Sequence, residues 1–302
     1  MSEGLPFSVA EYRDRATRVR ERMRERDVDV LLVISPPNLC YLTGFESVWY
    51  PPRAPVGVVV CADNDGLVFF DYERHETLVR ETAHLDDAVF YRYEDASETI
   101  AGTFRDRGWL AGTVGVERWS QTPGAPLVAA LAERLGELAG ALVEGDWIVD
   151  RVRLVKSPAE VACVRRAAAI VDAAFADLVE HVRPGQTELQ IAARLDSVMA
   201  DHGGEGAAIR TMVSAGPGVW CRTHAPPSRR PVVVGDVMYV DACGVFQRYH
   251  ADVCRTFAIG RDHPAARAIL EVTAGSVDEV RRAVHPGDPL EVAQKVAEEY
   301  VF

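Results

Sequence analysis

The sequence has no apolar run long enough to cross a bilayer; its longest, such as Val56 to Ala62, are strand-sized. The N-terminal stretch has no apolar core of the kind a signal peptide carries. The six cysteines (Cys40, Cys61, Cys163, Cys221, Cys243 and Cys254) include no CxxC pair. Together these absences argue against a membrane partner, a secretory leader and a disulfide framework, and predict a cytoplasmic protein with reduced, buried, inert thiols. Positive charge is scarce as well: 33 Lys+Arg stand against 45 Asp+Glu, a net charge of −12. A nucleic-acid partner is excluded on that ground, because phosphate recognition needs a positive surface. What remains is an ordinary globular composition, 48% hydrophobic over 302 residues, a length that favours two domains.

Ser8 followed by Glu11 reads as a capping box, and Tyr12, Ala16, Val19 and Met23 recur at helical spacing, so Ser8 to Asp27 is expected to be an amphipathic helix. Its seven arginines, Arg13 to Arg26, alternate with Asp14, Glu21, Glu25 and Asp27, the pattern of a solvated face. Strand-like runs follow at Val30 to Ile34, Val56 to Cys61, Gly66 to Phe70, Val89 to Tyr93 and Thr113 to Glu117. Helical stretches lie at Tyr72 to Thr82, Ala96 to Arg107 and Pro126 to Leu138. This alternation predicts an α/β domain over residues 1–150.

A second domain is expected over 151–302. Ser157, Pro158 and Glu160 open a long helix to about His181, which breaks at Pro184-Gly185, and Thr187 caps the next. The pattern returns 102 residues later, where Val284-His285-Pro286-Gly287 repeats Val182-Arg183-Pro184-Gly185 between two helices. This is an internal duplication: helix, turn, helix and strands in the first copy, helix, turn and helix in the second.

Between Gly235 and Gly260 two strand-like runs flank a short turn. A turn centred on Phe246-Gln247 sets Asp241 directly opposite Asp252, two carboxylates about 5 Å apart on one face. Like charges so placed are unfavourable unless a cation lies between them, and hard divalent ions bridged by carboxylates are the usual remedy. Singly, each aspartate is equally a turn or ion-pair residue, Asp252 having Arg255 nearby, and His224 in a Pro-rich stretch is a solvated loop histidine.

The segment Asp150 to Gly260 resembles the catalytic domain of the Xaa-Pro peptidase and creatinase family, the pita-bread fold. The matching features are RLVKSPAE, VRPGQTE, a histidine at His224, then GDVMYVDACG and YHADVCRTFAIG. The steps of seventeen residues from His224 to Asp241 and eleven to Asp252 fit its prolidase and aminopeptidase P branch. NLCYLTGF at Asn38 to Phe45 resembles the creatinase-type N-terminal domain. The resemblance therefore implies an α/β creatinase-like domain followed by an α+β pita-bread domain with an incomplete second repeat.

In that family five ligands, two aspartates, a histidine and two glutamates, hold two divalent ions (Mn, Co, Zn or Fe). The resemblance assigns Asp241 and Asp252 as the aspartates and His224 as the substrate-facing histidine. The other histidine and both glutamates belong to strands of the second repeat that this sequence does not reach. His250, His263, His285, Glu271 and Glu279 are poor substitutes by position. The resemblance implies a homodimeric metal-dependent hydrolase cleaving the bond before proline in peptides, with this 302-residue chain inactive and poorly soluble or oligomeric by itself. Two alternatives stand. One is a small-molecule enzyme of the same fold, of the ectoine hydrolase, creatinase or dimethylsulfoniopropionate lyase type, with Trp49, Tyr50 and Arg53 contributing to a compact pocket. The other is a metal-free pita-bread binding module.

Overall fold

A computed structural model describes residues 5–50, 54–120, 124–207, 209–222 and 224–301. The chain divides into two compact units, Met1–Ser157 and Pro158–Phe302.

The first unit is built on a six-stranded sheet. Its strands are β1 (Val30–Val33), β2 (Gly57–Cys61), β3 (Asn64–Tyr72), β4 (Asp87–Tyr91), β5 (Thr113–Val116) and β6 (Ala141–Glu144), in the order β4-β3-β2-β1-β5-β6. Helices α1 (Val9–Arg24), α2 (Pro36–Thr43), α3 (Glu76–Thr82), α4 (Ala96–Asp106), α5 (Ala125–Gly136) and α6 (Ile148–Arg153) complete it. Strand β1 lies inside the sheet and is buried throughout. The period-2 alternation of its side chains feeds two cores. Leu31 and Val33 join Val19, Met23 and Leu42, whereas Val30 and Leu32 join Ile100, Phe104 and Leu131 on the opposite face.

Several local expectations change once this packing is seen. Asn38–Phe45, the stretch behind the N-terminal resemblance, is mostly the helix α2, ending on Gly44 in the left-handed region. The arginines of α1 do not form a uniformly solvated face. Arg15 and Arg20 are only 1% and 4% exposed, because Arg15 is held by Glu11 and the Tyr41 carbonyl and Arg20 by the Cys61 carbonyl. Cys163 is the one fully buried thiol, while Cys221 and Cys254 are exposed, so burial does not account for all six cysteines; all are free.

In the second unit, α7 (Pro158–His181) and α8 (Glu188–Asp201) pack on a three-stranded antiparallel sheet of β7 (Met212–Ala215), β8 (Val237–Phe246) and β9 (Tyr249–Ala258), in that order. The capping box at Thr187 is present, with the Thr187 hydroxyl and the Gln190 side chain each accepting from the other residue's backbone N–H. Ile170, Val171, Ala174 and Leu178 of α7 and Ile191 and Leu195 of α8 meet Val213, Met238, Val240 and Ala242 of the sheet. Gly244 of β8 lies against the Ala167 carbonyl and Val171 of α7, an approach that leaves no room for a Cβ.

The second copy of the repeat supplies α9 (Pro264–Ala283) and α10 (Leu290–Val301), which pack on each other. The turn glycines of both copies, Gly185 and Gly287, take the same left-handed conformation, with φ of 95° and 99°. The repeat is thus structural as well as sequential. Where α7 and α8 cover a sheet, Ile269 and Val277 of α9 and Leu290 of α10 stand exposed.

Candidate metal centre

The carboxylates of interest are carried by the β8–β9 hairpin. Its turn is Gln247-Arg248, both in the left-handed region (φ 51° and 62°), which is the backbone of a two-residue hairpin turn that follows strand twist. The Glu205 carboxylate accepts both turn amides, at 2.8 Å from Gln247 and 3.0 Å from Arg248. The turn therefore sits one residue further along than Phe246-Gln247, and Phe246 pairs with Tyr249.

This corrects the expected pairing. Asp241 faces Cys254, and Asp252 faces Cys243, so the two aspartates are diagonal neighbours rather than directly opposed. Moving the turn by one residue shifts every pair by two, and an even shift leaves each side chain on its original face. Asp241, Cys243, Asp252 and Cys254 consequently share one face, the one turned away from the core residues Met238, Val240 and Ala242.

On that face Asp241 and Asp252 lie close enough for Asp252 to oppose the ionisation of Asp241. Burial first, and then the charge and hydrogen bond of Asp252, push the Asp241 carboxyl above its usual range. The thiols of Cys243 and Cys254 rise as well, through burial and then through both carboxylates, so they are held protonated. His224 has the opposite influence and favours ionised Asp241. It lies exposed in the segment between β7 and β8, with φ 62°, so the backbone there is in the left-handed region. Arg255 donates to the Cys254 carbonyl, and no ion pair to Asp252 occurs among the described residues.

The remaining histidines and glutamates lie where the sequence put them. His250 begins β9 beside the turn with its Nδ1 3.0 Å from the Arg248 carbonyl oxygen, His263 caps α9 through the Ala266 N–H, and His285 lies in the second turn. Glu271 and Glu279 are on the exposed flank of α9. Trp49 packs edge-on against His75 and Tyr93, and Tyr50 against Phe45, as an aromatic anchor within the first unit. Arg53 lies outside the described residues.

Sequence reading passed over Tyr239, Cys243 and Cys254, which the alternation of β8 and β9 brings to the carboxylate face, and Glu188, whose partners are far along the chain. The first three follow from parity once Asp241 is on that face; nothing local signals the fourth.

Among the described residues no three His, Cys, Asp or Glu side chains converge on one metal position. The pair itself has the right chemistry for a hard divalent cation: two carboxylate oxygen donors on one face, whose mutual repulsion a cation would relieve. The residues present thus fit part of a donor set.

The fold and this paired-carboxylate face define a two-domain pita-bread protein. Residues 162–302 match metallopeptidase family M24 and residues 15–155 match the creatinase/prolidase N-terminal domain, between them nearly the whole chain. The chain belongs to the M24 metallopeptidase family, a family of hydrolases. It is 27% identical over 286 residues to the ectoine hydrolase of Halomonas elongata, covering 85% of this chain and 68% of that protein. To the Xaa-Pro dipeptidase of Pyrococcus furiosus it is 21% identical over 291 residues, covering 96% of this chain and 77% of the dipeptidase. The prolidase of Thermococcus sibiricus has the same fold, with a TM-score of 0.84 at 20% identity over 96% of this chain and 77% of that one.

Proposed function

We propose that the protein is a hydrolase of the bond before proline, acting on dipeptides or peptide N-termini with two divalent cations (Mn, Co, Zn or Fe) held in part by Asp241 and Asp252. The observation that carries this reading is the pair of carboxylates placed as diagonal neighbours on the outer face of the β8–β9 hairpin, with His224 in electrostatic reach. When bound, the cations supply Lewis acidity at the scissile carbonyl and activation of water. Asp241 and Asp252 would supply hard oxygen donors to them. His224 donates from its imidazole to the carbonyl oxygen of the substrate, steadying the negative charge that grows there. The Xaa-Pro dipeptidase relative and the prolidase fold support the choice of substrate.

A second reading is favoured by one observation, the higher identity to an ectoine hydrolase, 27% against 21% for the dipeptidase. In it the same carboxylate face serves a compact small molecule. A metal-free binding role fits less well, because it gives no reason for two carboxylates to be kept in contact.

The test is turnover of Gly-Pro dipeptide and of ectoine by the Mn2+-loaded native gene product. Proline release supports the first reading and ring opening of ectoine the second, while turnover of neither overturns both. We also propose a cytoplasmic homodimer; no helix among the described residues is long and apolar enough to cross a membrane. Two carboxylates fall short of the roughly six donors a hard cation takes, so the 302 residues alone are proposed to bind metal weakly and to be inactive.

A further inference from the structure

His224 rides on the segment between β7 and β8, and the stretch of it that carries His224 is fastened on either side, at Ala215 and Ser228, to a single side chain. Glu188, the first residue of α8, is 2% exposed. Its Oε1 accepts the Ala215 N–H at 2.8 Å, at the end of β7. Its Oε2 accepts the Ser228 N–H at 2.9 Å and the Ser228 hydroxyl at 2.6 Å, four residues beyond His224. The helix end returns the grip, since the Glu188 and Leu189 N–H groups donate to the Arg230 and Ser228 carbonyls, both at 3.1 Å. Arg230 is fixed in turn by a two-pronged contact with Asp236, at 2.7 and 3.0 Å, and packs against Gly216, where a side chain would collide with it.

Closer to His224 the holds are fewer. Arg222 donates to the Ala215 carbonyl at 2.5 Å, and its own carbonyl accepts the Tyr239 hydroxyl at 2.7 Å. Tyr239 stands on the carboxylate face of β8, two residues before Asp241. The segment is therefore clamped at its base by Glu188 and touched near its tip by one residue of the metal face. Three donors on one buried carboxylate form a strong, charge-assisted set, and loss of the acceptor leaves them unsatisfied.

We propose that Glu188 is a positioning residue: by tying Ala215 to Ser228 it fixes the span of the loop and so holds His224 over Asp241 and Asp252. It touches no reacting atom. The inference deepens the hydrolase reading, on which the role of His224 rests, but the clamp can be tested without a substrate.

The test is hydrogen exchange, resolved by residue, in the full chain and its Glu188→Ala and Ser228→Ala variants. Glu188→Ala is expected to speed exchange at Val219 to Arg222 by about tenfold, with α7 and β9 amides unchanged. Ser228→Ala, which removes only one donor, is expected to act on the same amides more weakly, and it carries the test if Glu188→Ala does not fold. Glu188→Gln keeps an acceptor for Ser228 but turns an NH2 donor towards the Ala215 N–H, so its loop exchange is expected to lie between that of the parent and that of Glu188→Ala. Unchanged loop exchange, or an even rise across α7, α8 and the sheet, overturns the clamp. Failure of the Mn2+-loaded native gene product to cleave Xaa-Pro substrates overturns the Xaa-Pro reading and leaves these outcomes as they stand. If such a substrate is cleaved, Glu188→Ala is expected to lower kcat about tenfold with KM little changed, and an unaltered kcat overturns the positioning role.

Discussion

Asp252 stands diagonally across the β8–β9 hairpin from Asp241, with a cysteine directly opposite each, and its charge opposes the ionisation of Asp241. Two acids brought together on a sheet face oppose one another's ionisation until something positive lies between them.

Removing one acid should relax the pair. Asp241 is raised above its ordinary 3.8, so the folded state holds a proton that the unfolded chain releases, and stability falls as pH climbs through that interval. Asp252→Asn is expected to raise the melting temperature of the metal-free protein at neutral pH by about 2 °C and to flatten its decline as pH rises above the ordinary carboxylate range. Mn2+ should raise the melting temperature of the parent and not of the variant. Calorimetry with and without Mn2+ checks this, and an equal Mn2+ shift in both proteins removes Asp252 from the ligand set.

Glu117 sits at the end of β5, 1% exposed, and accepts the Ile34 and Ser35 amides and the Asn38 side chain at 2.7–2.9 Å. Burial pushes its carboxyl up from 4.5 to about 7, outweighing those three donors. The folded state therefore binds the proton more tightly than the unfolded chain, and its contribution declines as pH rises from about 4.5 to about 7. Urea melts of the first unit's signal should show stability falling over that interval, and Glu117→Gln should remove the slope. Glu117→Ala is expected to cost about 2 kcal/mol at low pH by stranding three donors, and less as pH rises to about 7 and the parent loses its own contribution.

Gly244→Ala tests how closely the hairpin lies on α7. A methyl group there meets the Ala167 carbonyl and Val171, both parts of a helix that cannot yield without unpacking. A loss of about 3 kcal/mol in urea unfolding is expected, and a neutral effect means that the hairpin and α7 sit further apart.

The turn offers the opposite change. Gln247 adopts φ 51° while donating only its backbone N–H to Glu205, so Gln247→Asn is expected to stabilise by about 0.5 kcal/mol, asparagine tolerating that conformation better. Arg248→Gly should gain less, because the Arg248 side chain also donates to the Gly206 carbonyl at 2.9 Å. Urea midpoints of the two variants, compared directly, check the order.

Much of the architecture was legible because it is written in neighbouring residues. Pro158 to His181 is a helix over the whole predicted span, and Thr187 and Gln190 make the box that their identities and spacing demand. The duplicated turn is legible for the same reason, since Pro-Gly fixes one backbone conformation at Gly185 and Gly287 alike. Less was legible where burial decides. Arg15 and Arg20 look solvated beside their acidic neighbours, yet they are drawn inside by carbonyls 26 and 41 residues away, Tyr41 and Cys61. The short helix α2 and the strands β6 and β7 carry too little periodicity to stand out from the loops around them.

The sequence by itself determined that Asp241 and Asp252 share a face, because alternation along a strand is a local property and survives any even slip of register. It also determined the two copies of helix, turn and helix. Tertiary structure alone decided which residue each aspartate meets, since the register depends on a turn held by Glu205, some forty residues upstream. It alone decided where His224 stands, for that rests on Glu188 gathering Ala215 and Ser228 from opposite ends of a loop. Helix caps and strand parity need only the next few residues, whereas a buried carboxylate finds its donors wherever the fold delivers them.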